Sequence, residues 1–187
     1  WAVELGRVDI CTEVSIMAAY AANPRVGHLD AVYHTFAWLK KHDRSKLVFD
    51  SAYVNNKEQS LPDWTDFYKD VKEQIPADAP EPLGKPVEMT SYIDSDHAGD
   101  KVTRRSQTGV FIFLNRALIV WYSKKQCSIE TSSFGSEFSA MNTGTKLIEG
   151  LRYKLRMMGV PIDGSCHVKA DNLSVVRNSS QPESTLK

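Results

Sequence analysis

Residues 133–158, SFGSEFSAMNTGTKLIEGLRYKLRMM, place Phe134, Phe138, Met141, Ile148, Leu151, Leu155 and Met158 at steps of three, four and seven. Such steps return to one face of an α-helix, so a helix is expected from about Ser133 to Met158, ended by the GVP that follows. A helix this long with a single apolar stripe has to bury it against another element. The chain supplies that element immediately upstream. VEMTSYID alternates, with Val87, Met89 and Ser91 on one side and Glu88, Thr90 and Tyr92 on the other, the signature of a half-buried strand. TGVFIFLN and ALIVWYSKK read as two more strands joined by a polar turn at Asn115 and Arg116. An antiparallel three-strand meander followed by the long helix is therefore expected. CHVKADN then reads as a short fourth strand, parallel to the first, and LSVVRNSS as the start of another helix. The fold class expected is α/β with a mixed sheet.

Upstream of the meander the pattern changes. Ile10, Val14, Met17 and Ala21 mark one helical face, and NPRVG breaks it. A second helix is expected from about His28, with Leu29, Val32, Tyr33, Phe36 and Leu39 on its buried side, and KLVFDSAYV (46–54) reads as a strand or hairpin arm. Two helices and a strand cannot bury so many aromatic side chains alone, so this segment is expected to pack on further chain beyond this sequence or on the domain that follows. Residues 55–86 form a connection. PDWTDFYKDVKEQI suggests one short helix with Trp64, Phe67, Val71 and Ile75 on a shared face. Pro76, Pro80, Pro82 and Pro86 then exclude helix or central strand and mark a domain boundary. The opening WAVELGRVDICTEV, with no initiator Met, and the closing ESTLK read as the edges of a longer protein.

Composition narrows the function classes. A formal net charge of zero argues against binding nucleic acid through bulk charge, though local basic patches are compatible with it. Three cysteines without a C-x-x-C pair suggest a reducing compartment. No apolar run reaches the length of a membrane span, and no signal peptide opens the chain.

SYIDSDHAGDKV (91–102) is the stretch that asks for chemistry. Acids are poor strand formers, and carboxylates this close repel one another unless a cation sits among them. Asp94 ends the first strand, Glu137 falls in the first turn of the long helix inside its apolar arc, and Asp171 ends the fourth strand. In this topology strands one and four are expected to be neighbours at the sheet centre, so the three carboxylates converge. Oxygen ligands alone suit a hard ion, Mg²⁺ or Mn²⁺. Two such ions about 3.5–4 Å apart cleave phosphodiesters. Asp96 and Asp100 read as turn formers and His97 as a loop histidine. A calcium loop beginning at Asp94 fails, because Ala98 and Arg105 stand where ligands are needed.

SYIDSDHAGD, RRSQTGVFIFL, IVWYSKKQCSIETSSFGSEFSAM and VKADNLSVV, in that order, resemble the ribonuclease H domain of copia-type retrotransposon polyproteins. RVDICTEVS and NPRVGHLDAVYHTFAWLKKH resemble the end of the reverse transcriptase part. The resemblance implies a ribonuclease H-like mixed sheet over 87–187, C-terminally incomplete, a connection at 55–86 and a helical reverse transcriptase remnant at 1–54. It implies two Mg²⁺ (or Mn²⁺) ions held by Asp94, Glu137 and Asp171 as catalytic residues, with Asp94 bridging. The implied partners are an RNA·DNA hybrid and the rest of the polyprotein, in an intracellular, cytoplasmic or nuclear setting, and no membrane. Arg104, Arg105, Lys124 and Lys125 are expected to meet phosphates. The glutamate precedes the second aspartate, which separates this pattern from integrase-like transferases. Because the family's last strand, last helix and fourth acid lie beyond Lys187, a catalytically inactive relic, or a fragment that binds nucleic acid without cutting it, is the alternative.

Overall fold

The computed structural model describes residues 1–54, 65–68 and 71–181. The meander forms as expected: β1 (Val87–Asp96), β2 (Gln107–Leu114) and β3 (Ala117–Lys125) pair antiparallel. Asn115 takes a left-handed φ of 53° in the two-residue turn, a conformation its short polar side chain tolerates well. Next comes α4 (Ser133–Met157), opened by Ser132, whose side chain accepts the Gly135 N–H at 3.1 Å. Gly159 closes it at φ +71°, where a Cβ would be strained. β4 (Ile162–Lys169) then pairs parallel with β1, and α5 (Leu173–Ser180) is capped by the Asn172 side chain.

The sheet order is β3-β2-β1-β4, a four-stranded open mixed sheet with one parallel pair. This corrects one detail of the expected topology: β4 neighbours β1 but lies at an edge rather than at the centre. It also begins at Ile162, four residues before the expected CHVKADN, because polar Asp163, Gly164 and Ser165 hide its first half from a hydrophobicity pattern. The stripe of α4 covers one face of the sheet. Met89, Ile93, Val110 and Ile112 meet Ala140, Ile148 and Leu155 in the core, with Ile162 at its edge.

The amino-terminal segment lies on the sheet. A 3₁₀ turn (Val8–Ile10) leads into α1 (Cys11–Ala18), which packs on β3. Ser15 Oγ accepts from Gln107 Nε2 at 2.9 Å, and the Trp121 indole donates to the Val3 carbonyl at 3.1 Å. Of the expected face Ile10 is buried and Val14 is not. α2 (Val26–Lys41) departs further. Leu29, Tyr33 and Phe36, expected on its buried side, are 49%, 62% and 63% exposed, and only Val32 and Leu39 are half-buried. α1 is too short to cover that stripe.

Residues 46–54 form no strand. Their backbone is held by side chains instead: Asn115 Nδ2 donates to the Ser51 carbonyl at 2.9 Å, and Asp50 accepts the Ala52 N–H at 2.9 Å. In the connection a helical turn, α3 (Thr65–Tyr68), is present, but residues 71–75 are not helical, so the expected helix does not reach Ile75. Its parts at 62–64 and 69–70, and the closing ESTLK, lie outside the described residues.

The connection is anchored by charge. Glu73 receives Arg152 at 2.7 Å and Arg156 at 2.8 Å, so these two basic groups of α4 serve packing. Their hydrogen bonds hold the Glu73 carboxyl down at about 2. A depressed carboxyl stabilises the fold fully above its unfolded value near 4.5 and loses that contribution as pH falls towards 2. Glu73→Gln is therefore expected to lower stability by about 1 kcal/mol at pH 7, a figure kept small by partial exposure. Urea midpoints should show that gap narrowing at pH 3. An equal gap at both values would contradict the pairing.

Candidate metal centre

Asp94 lies two residues beyond the end of the pairing between β1 and β4, whose last matched residues are Tyr92 and Lys169. Beyond Tyr92, β1 has no strand on that side among the described residues. α4 uses the opening: Glu137, 8% exposed, is turned towards it and accepts the Ser95 backbone N–H. Asp171 stands two residues past the end of β4, just before the cap of α5. One carboxylate oxygen from each of Asp94, Glu137 and Asp171 lies within 4.8 Å of those from the other two. The three acids singled out in the sequence thus come together from a strand, a helix and a strand end.

Glu137 occupies the fifth position of α4 rather than its first turn, since the helix opens at Ser133. One consequence follows for its charge. The N-terminal dipole fades within a turn, and burial together with the Asp94 and Asp171 carboxylates pushes the Glu137 carboxyl up to about 7. Without a cation the cluster is electrostatically frustrated. Oxygens around one hard ion at about 2.1 Å sit roughly 3–4 Å apart, so small side-chain rotations would close this set on a cation. The all-carboxylate donor set fits Mg²⁺ or Mn²⁺ and offers nothing to a soft metal.

The surroundings divide into two faces. On the side away from α4, Asp94 and Asp171 border a cavity of about 520 Å³ with Tyr92, Phe111, Tyr122 and Lys169 on the sheet and Val8, Cys11 and Thr12 opposite. The Lys169 ammonium sits 5.4 Å from the centre of the Tyr92 ring. Burial raises the Cys11 thiol, and it pushes Cys166 up to about 11; neither thiol is activated.

The other expected positions fall at the same end of the sheet. Arg104, Arg105 and Lys124 are exposed, and Lys124 pairs across β2 with Thr108, itself opposite Ser95. Lys125 is engaged otherwise. It pairs with Asp100 and lies 5.6 Å from the Tyr20 ring centre. Asp100 is the expected turn former, its Oδ1 accepting the Val102 and Thr103 N–H groups. His97 Nδ1 meets Ser136 Oγ at 3.2 Å. Sequence reasoning passed over Gln126, buried just past β3. Nothing in the pattern marks it, because Gln126 follows the polar run Ser123, Lys124 and Lys125.

Among the described residues no helix is long and apolar enough to cross a membrane. No protein-family model matches the chain, and no solved structure does. Over 53 residues the chain is 40% identical to uncharacterized mitochondrial protein AtMg00810 of Arabidopsis thaliana, a match spanning 28% of this chain and 22% of that protein. Over 140 residues it is 37% identical to secreted RxLR effector protein 161 of Plasmopara viticola, covering 75% of this chain and 76% of that protein. With that identity over three quarters of both sequences, the chain belongs to the same family as the Plasmopara viticola protein.

Proposed function

We propose that the chain is a ribonuclease H-like unit of a copia-type retroelement polyprotein, acting in metal-dependent hydrolysis of the RNA strand of RNA·DNA hybrids. The observation that carries this reading is the convergence of Asp94, Glu137 and Asp171 within 4.8 Å on a sheet of matching topology. The order of motifs supports it too. On this reading residues 1–54 are the end of a reverse transcriptase, 55–86 the connection and 87–187 the nuclease domain.

A pair of Mg²⁺ or Mn²⁺ ions, when bound, supplies an attacking water of lowered pKa and stabilises the leaving 3′ oxygen. The chain's own residues prepare the place. Asp94, Glu137 and Asp171 would hold the ions, and the Ser95 N–H fixes the Glu137 carboxylate. Asp171 is set by the short link between β4 and the Asn172 cap. Arg104, Arg105 and Lys124, exposed at the same sheet end, hold substrate phosphates. Lys125 serves the Asp100 turn.

In Mg²⁺ the wild-type chain is expected to cut an end-labelled RNA paired to DNA, to spare duplex DNA, and to stop on addition of EDTA. Asp94→Asn should leave no measurable cutting, and undiminished cutting by that variant would reject the reading. A second reading rests on the Plasmopara viticola relative, whose name describes a secreted effector. There the same fold works without catalysis and the acid cluster is idle. Wild-type chain that neither cuts hybrid nor binds Mn²⁺ would favour it.

A further inference from the structure

The side chain of Gln126 is 7% exposed and sits where three parts of the site meet. Its Nε2 donates to the Ser136 carbonyl at 2.9 Å and to Thr108 Oγ1 at 3.0 Å. Its backbone N–H reaches the Ser106 carbonyl at 2.8 Å, while Ser106 Oγ accepts the Ala98 N–H at 3.0 Å. Each contact points at the acid cluster. Ser136 immediately precedes Glu137. Thr108 is matched across the sheet with Ser95, which follows Asp94 and donates to Glu137. Ser106 and Ala98 belong to the loop that leaves β1 directly after Asp96. One planar amide with two N–H bonds in fixed directions therefore ties the end of the first turn of α4 to the strand pair that carries Asp94.

We infer that Gln126 is a positioning residue for the metal-dependent cleavage proposed above, holding Glu137 against Asp94 through the Ser136 carbonyl and Thr108. The inference rests on that reading, and on it Gln126 touches neither ion nor substrate. Groups that orient ligands from behind typically change metal affinity by about 10–100-fold when removed. Gln126→Met keeps the length and apolar stem and deletes both donors. Thr108→Val deletes one acceptor and leaves the bond to Ser136, and so keeps the test open if the first variant folds poorly.

The experiment is a Mn²⁺ titration of the full 187-residue chain, followed by calorimetry and by the electron paramagnetic resonance line shape of the bound ion, with urea midpoints measured alongside. Gln126→Met is expected to weaken Mn²⁺ by about tenfold or more and to broaden the bound-ion spectrum. Thr108→Val should weaken it by about twofold to threefold. Hybrid cleavage by Gln126→Met should fall in turnover number while KM stays near wild type. Wild-type affinity and line shape in Gln126→Met, with a lowered urea midpoint, would show a merely structural role and overturn the inference while the proposed activity stands. A wild-type chain that binds no Mn²⁺ would overturn both.

Discussion

On the proposed activity, a chain carrying Glu137→Gln is expected to lose hybrid cleavage by about a thousandfold or more, and in metal-free buffer at pH 8 to unfold at a higher temperature than the wild type. The first effect follows from removing one of the three anions proposed to hold the metal. The second follows from the strain on that ligand. With its carboxyl pushed up to about 7, Glu137 in the folded chain binds a proton more tightly than it does at its unfolded value near 4.5. The wild type accordingly loses stability as pH rises from about 4.5 to about 7, and stays at the lower level above that window. Glutamine carries no such charge. The difference should vanish below pH 4.5 and reach on the order of 2 kcal/mol at pH 8, a rise of about 4–8 °C for a chain of this length. Added Mg²⁺ should raise the melting temperature of the wild type and leave the variant unmoved. A glutamine variant less stable than the wild type at pH 8 without metal would mean that the three carboxylates are not crowded.

Why Glu137 could be picked out from the sequence is the same physics. Along α4 it is the one acid inside the apolar arc between Phe134 and Met141, and an acid there is either paired or at work. Asp94 and Asp171 were legible because strand-like runs end near them in the sequence, although β1 itself continues to Asp96 and β4 stops at Lys169. The meander and α4 were legible for a related reason: their periodicities are set by contacts with one another, which the sequence contains in full. The failures have a common cause as well. Residues 46–54 have strand composition but no backbone ladder partner among the described residues, and a strand exists only where a ladder does. α2 has an apolar stripe, yet Leu29, Tyr33 and Phe36 stay open because α1 is short. Gln126 and Glu73 act through long-range polar contacts, to Ser136 and to Arg152 and Arg156. No hydrophobic pattern reports such contacts.

A close approach of α4 to the sheet is made possible by a missing side chain. A Cβ on Gly144 would come 2.2 Å from Ile93 Cδ1 and 2.9 Å from Cγ1, and Ile93 is 2% exposed, packed in the core, so relieving the clash means moving core side chains or backbone. Gly144 lies seven residues beyond Glu137, two turns on along the same face. Ile93 precedes Asp94. Their contact therefore sets the spacing of helix and strand at the site. Gly144→Val is expected to destabilise the chain by about 3 kcal/mol, since it overpacks the core and gains little in helix propensity. It should also weaken Mn²⁺ binding, because the helix is levered away from β1. Ile93→Ala alone leaves a cavity and costs about 3 kcal/mol. Combined, the two changes move three carbons from strand to helix across the same contact. The double variant should recover at least about 2 kcal/mol relative to the sum of the single losses, together with part of the Mn²⁺ affinity. Urea denaturation of the four chains measures that coupling. Simple additivity would mean that the helix is spaced from the sheet by some other contact, and that Gly144 is not what brings Glu137 to Asp94.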